Sequence, residues 1–184
     1  MRSLNDEDIK IASFTPQPDV GAAAHHDYRK HLENGNIERA KSVGRAIAQK
    51  TLSSAALGME AEAQSGLELS MQRGLLLVFS AVVSVEAASL PGVLEDVVKQ
   101  EYYAELKREA PALYREATES GAFSFYYLAF RRGIELDRRI GQTFAMLCSH
   151  DGDSVYQELG EALWCWMQSK THQLIKAADL KPAD

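Results

Sequence analysis

Cysteine is scarce in this 184-residue chain: only Cys148 and Cys165 occur, both inside apolar helical patterns and in neither a CxxC nor a Cys/His spacing. That excludes a disulfide framework and a zinc module built on thiolates, and it leaves two reduced core thiols as the expectation. Proline is sparse too, with five in the chain, so most of the sequence is free to run in long helices. No stretch of any length alternates apolar and polar residues with period two, so no sheet is signalled. The first residues, Met1 to Ile11, are polar and acidic with no apolar segment, which reads as lacking a secretory signal and points to a cytoplasmic address.

Positive charge is in deficit as well. Twenty Lys and Arg stand against 26 Asp and Glu, a formal net charge of −6, which repels phosphate backbones and disfavours nucleic acid as a partner. The most basic stretch, Arg131 to Arg139, carries Glu135 and Asp137 at spacings that allow local pairing. Apolar residues make up 46% and charged residues 25%, the balance of a soluble chain that folds around one core.

What is present is helical periodicity. Residues 1–34 mix charges, Pro16, Pro18, Gly21 and histidines, and read as an extended N-terminal arm, irregular or with short helices. Residues 35–181 read as a helical bundle domain. Asn36 is a good N-cap, and Ile37, Ala40, Val43, Ile47 and Leu52 share one face of a helix that can run on through Met59 toward Ala63. Ser65 with Glu68 forms a capping box before a helix reaching Ser89. The middle of that helix, Gly74 to Val85, has no charge, yet it falls short of the roughly 18 to 20 residues of a membrane span. It is expected to be the buried central helix of a bundle, with no membrane partner.

Pro91 and Pro111 mark helix boundaries. Between them Val93, Leu94, Val97, Val98, Tyr102 and Leu106 form an apolar face, with Glu95 and Lys99 paired at i,i+4. A short helix follows over residues 112–119. The stripe Phe123, Tyr127, Phe130, Ile134, Asp137, Gly141, Phe144 and Cys148 then suggests one long helix over residues 123–148. After a turn over residues 149–153, Ser154 and Gln157 read as a second capping box. The last helix is expected to bury Tyr156, Leu159, Leu163, Trp166, Lys170 and Leu174. The sum is an all-α, single-domain antiparallel helical bundle of about five to seven helices. Gly44, Gly133, Gly141 and Gly160, with Ala48, are expected where helices cross closely.

Two carboxylates look out of place. Glu86 aligns with the buried stripe of Leu75, Phe79 and Val82, and Asp137 occupies a core slot among arginines. Both can be structural charges, or they can face one another across the core with an arginine such as Arg131 or Arg138 between them, anchoring a ligand beside Tyr127. Glu86 could also serve as a buried general base. No Glu-x-x-His unit occurs, so a carboxylate-bridged two-metal site has no ligand set, and neither metal nor cofactor is expected. The cluster His25, His26, Asp27 and His31 lacks a further ligand at fixed spacing and reads as exposed. The aromatics Phe123, Phe125, Tyr126, Tyr127, Phe130, Phe144, Trp164 and Trp166 can fill a core, line a pocket or leave an exposed face. No nucleophile elbow, phosphate loop or HExxH is present.

The pattern favours a non-catalytic helical protein acting through protein contacts, its own copies first among them. A small-ligand-binding bundle anchored at Glu86, Tyr127, Arg131, Asp137 and Arg138 stands second, and an enzyme using Glu86 third.

Overall fold

The computed structural model describes residues 20–55, 65–119 and 121–180, which form eight α-helices and no strand. They are α1 (Val20–Glu33), α2 (Asn36–Ala55), α3 (Ser65–Ala87), α4 (Gly92–Glu109), α5 (Pro111–Thr118), α6 (Ser124–Arg131), α7 (Leu136–Leu147) and α8 (Ser154–Ala177). Residues 1–19 of the expected arm, the extension toward Ala63, and the side chains of His25 and Ser65 lie outside the described residues.

α3 is the centre. Its residues from Gly74 to Val85 are buried on every side, which is possible because none carries a charge. Leu75, Leu77, Val78, Ala81, Val82 and Val85 join the cluster shared with α2 and α4. Leu76, Phe79 and Val83 join a second cluster with α6, α7 and α8. By length and composition the segment Glu68–Ala87 could cross a membrane, a longer stretch than its uncharged middle suggests. Sixty-seven per cent of its most apolar 18-residue window is buried inside the protein, as for a bundle core.

Helix boundaries follow the sequence chemistry at α4 and α5. Pro91 precedes the first turn of α4, and Pro111 opens α5, where its missing N–H is no loss. Two helices beyond the expected arrangement raise the number to eight. The first is α1, 14 residues long, where the sequence suggests an arm that is irregular or holds short helices. Polar side chains at the turn to α2, described below, anchor its C-terminal end.

The second arises because the long helix expected over residues 123–148 is divided. Gly133 (φ +68°) and Glu135 (φ +49°) adopt the left-handed conformation between α6 and α7, which an α-helix cannot accommodate. The break resets the helical phase. Ile134 points into solvent at 71% exposure, Asp137 falls on the surface, and the buried residues become Tyr126, Ala129, Ile140, Gly141, Phe144 and Ala145. In α8 the seam differs from the expected one too. Gly160, Trp164, Met167 and Thr171 are buried, whereas Leu159, Leu163 and Trp166 flank them half-buried. Cys165, expected in the core, is exposed on the far side of this shifted seam, and Cys148 is half-buried. The N-cap of α8 is Asp153, whose carboxylate accepts from the Val155 N–H at 2.9 Å, in place of Ser154.

Glycines set the closest crossings. α7 and α8 run antiparallel, with Asp137 reaching Trp164 and Gly141 facing Gly160. A β-carbon on Gly160 would lie 2.7 Å from Phe144 Cβ, and one on Gly44 would lie 2.6 Å from the Val98 carbonyl oxygen. Gly133, by contrast, serves its turn, and a methyl there would meet nothing within 4 Å.

Candidate functional site

The five residues singled out from the sequence do not converge. Glu86 is exposed at the C-terminal end of α3, 3.8 Å from Lys99 Nζ, and Lys99 is held more closely by Glu95 at 2.7 Å. Asp137 is exposed in the first turn of α7 and accepts a hydrogen bond from the Trp164 indole. The expected Glu86–arginine–Asp137 network across the core is therefore absent, because the α6–α7 break turns Asp137 outward and α3 carries Glu86 past the end of its buried segment. Arg131 and Arg138 are exposed as well; Arg138 lies 3.9 Å from Glu135.

Glu86 does lie near Tyr127. The Tyr127 ring packs edge-on against Phe79, with centroids 5.0 Å apart. Burial, and then the negative charge of Glu86, push the Tyr127 hydroxyl ionisation upward. Tyr103 is raised by burial and by the nearby Tyr127 and Glu86. Lys99 is raised chiefly by its hydrogen bond to Glu95, so it is a charged ammonium shared between carboxylates. Glu86 thus lacks the enclosure that a buried general base requires. Next to this cluster an open cleft of about 450 Å³ lies between α4 and α5, lined by Tyr103, Tyr114, Lys99 and Lys107. The Lys107 ammonium stands 5.7 Å from the Tyr114 ring centroid, a cation–π contact.

Most of the aromatic residues form core. Phe79 of α3 is ringed by Phe123, Tyr126, Tyr127, Phe130 and Trp164 at centroid distances from 5.0 to 6.4 Å. Part of the histidine cluster is structural rather than a surface feature. His31 is buried, its Nδ1 is 3.0 Å from Asn36 Nδ2, and its Nε2 is 3.7 Å from Asp27 Oδ1. Among the described residues no group of His, Cys, Asp and Glu could hold a metal ion.

A band of apolar surface remains in solvent on α6 and α7. Phe125 (54% exposed), Leu128 (58%) and Met146 (41%) line one groove of about 260 Å³, together with Arg132, Arg139 and Asp151. Gln142 and Thr143 complete its lining with Ala129. α6 is apolar on nearly every face, reading Phe125, Tyr126, Tyr127, Leu128, Ala129 and Phe130 in succession, while one face packs on α3. That surplus is the sequence signal for the groove: an eight-residue helix cannot bury six consecutive apolar or aromatic residues on one side. Leu128 and Met146 carry no signal of their own, because the stripe of a continuous helix passes them by.

Compared with protein-family models, with curated proteins and with solved structures, the chain matches none of them.

Proposed function

We propose that this protein is a non-catalytic helical module that holds another polypeptide against its α6–α7 face. The observation that carries the reading is the clustering of Phe125, Leu128 and Met146, all substantially exposed, along one groove. Single exposed apolar residues are ordinary, but contiguous ones mark a contact surface. The groove is smaller than the roughly 300–1,000 Å³ of small-molecule sites, and it suits a few anchoring side chains.

A photo-reactive amino acid at position 128, in cells that naturally make the protein, tests this. Discrete adducts that disappear when Phe125→Ser is added support the reading; adduct mass identifies a second copy or another protein. The same adducts from a probe at Lys50, an exposed site on α2, or none from position 128, would overturn it.

The α4–α5 cleft supports a second reading. It presents two tyrosine rings in about 450 Å³, and with Asp96 also in the lining and Lys99 held by Glu95, Lys107 is the cation it offers a planar anionic ligand. A thermal shift with aromatic carboxylates that is lost in Tyr114→Ala favours it, and no shift across such a panel counts against it.

A further inference from the structure

We infer that the occupant of the α6–α7 groove is an acidic amphipathic helix of a different protein. This rests on the reading of that groove as a docking face and adds the chemistry of what docks.

Charge points to an acidic partner. On a chain of net charge −6, the stretch from Arg131 to Arg139 gathers four arginines against Glu135 and Asp137. Asp137 accepts from the Trp164 indole, a neutral donor that leaves its charge in place, and Glu135 is 3.9 Å from Arg138, so the stretch keeps an excess of two positive charges. Arg131 and Arg132 are exposed with no ion-pair partner among the described residues. Arg132 and Arg139 line the groove, and Asp151 is the acid set against them. The groove therefore sets Phe125, Leu128 and Met146 among polar side chains, Gln142 and Thr143 included, with two arginines against one acid, on a molecule that is acidic as a whole.

The same pattern disfavours a second copy of this chain. A two-fold contact with its axis at Arg132 would bring the arginines of both copies together, and like charges oppose the closing of such an interface. A head-to-tail contact with an acidic face would form a ring where its rotation closes and an open filament where it does not. An acidic partner of other sequence avoids both.

Shape narrows the partner to a helix. The groove is a concave trough between two helices, the geometry into which an amphipathic helix lays residues spaced i, i+3 or i+4, and i+7. Its α7 lining runs from Arg139 to Met146 and α6 has eight residues, so at about 1.5 Å per residue the trough accommodates about two turns of a partner helix. The partner's apolar residues rest on Phe125, Leu128 and Met146, and its acids meet Arg132 and Arg139. Those rim pairs are solvated, so they set orientation and encounter rate more than depth of affinity. A bilayer, in contrast, is engaged by protruding apolar residues rather than a trough.

The test uses a fluorescein-labelled synthetic helix of about 16 residues, with leucines at i, i+3 and i+7 and glutamates on either side. Its controls replace every Glu by Lys or every Leu by Ser, and vesicles of mixed phosphatidylcholine and phosphatidylglycerol form a separate arm. Anisotropy is expected to show binding of the acidic peptide that weakens with salt. Leu128→Ser abolishes it, and Arg132→Glu weakens it about tenfold while strengthening the Lys peptide, a charge exchange that lost packing cannot imitate. Both sites are exposed, and circular dichroism verifies each variant's fold. If the Lys peptide binds wild type as well as the acidic one and Leu128→Ser still abolishes binding, the groove docks helices and the inference about charge falls alone. If no peptide binds and position 128 gives no adducts in cells, both fall. Vesicle binding that Leu128→Ser removes, without peptide binding, assigns the face to lipid and overturns the inference.

Discussion

The indole Nε1–H of Trp164 donates to Asp137 Oδ1 at 2.9 Å, tying the middle of α8 to the first turn of α7. Trp164 is fully buried, so this carboxylate at the surface is what satisfies the one polar atom of the largest core side chain. A carboxylate in the first turn also complements the α7 dipole.

Asp137→Leu leaves that N–H without an acceptor and is expected to lower stability by about 1–3 kcal/mol. Asp137→Asn keeps an acceptor oxygen and should cost less. Urea unfolding followed by tryptophan fluorescence ranks the two variants, and equal stability of wild type and Asp137→Leu would show the bond to be idle.

Gly141 sets the α7–α8 spacing. A methyl there would run into the Gln157 carbonyl oxygen and the Glu161 Cγ. Alanine favours a helix over glycine by about 0.5–1 kcal/mol, but the forced separation costs about 1–3 kcal/mol and outweighs it. Gly141→Ala should therefore melt below wild type, while Gly92→Ala, with nothing within 4 Å of the new methyl, should not.

The contrast between α3 and α7 shows what is legible in the chain. A helix buried on every side needs no phase, so the absence of charge from Gly74 to Val85 is enough to place it. α7 and α8 each bury one face, and there the phase decides everything. Read as a crossing residue, Gly133 leaves one continuous helix and carries Asp137 into the core; its positive φ instead ends α6 and turns Asp137 out. In α8 the apolar pattern favours Trp166 for the seam; what selects Trp164 instead is Gly160 one turn away, packed on Phe144. The candidate groove is hidden for the same reason, since a continuous helix assigns the groove face of α6 and α7 to neither core nor surface.

At the turn between α1 and α2, Asn36 is fully buried, and its side-chain oxygen accepts from Arg39 Nη1 at 3.1 Å. Arg39 has only donors, so the Asn36 amide nitrogen must face His31 and donate to Nδ1. Arg39 also reaches the Asp179 carbonyl at 3.1 Å, linking the chain beyond α8 to this turn. Asn36→Ala strands buried His31 Nδ1 and should cost about 1–3 kcal/mol. Hydrogen exchange should rise across α1 more than across α3; uniform loss of protection would mean that α1 does not depend on this network.

Cys148 provides a pH-dependent test. Burial, reinforced by the charge of Glu68, pushes its thiol up to about 11 from an ordinary 9.0. At pH 8 only about one molecule in a thousand carries the thiolate, the form that alkylates. Iodoacetamide should therefore modify exposed Cys165 first and reach Cys148 only as the pH nears 11 or the chain unfolds, which peptide mass spectrometry resolves. The same shift bears on stability. Below pH 9 both folded and unfolded chains keep the proton and nothing is lost. Between 9 and 11 the unfolded chain gives it up more readily, so stability falls as pH rises. Tyr102 and Tyr126, also raised by burial, add to this slope at higher pH. Comparing Cys148→Ala with wild type isolates the thiol's share, and the variant's stability should decline less steeply from pH 9 to 11. Identical slopes, with Cys148 alkylated as fast as Cys165 at about pH 8, would place the thiol in solvent.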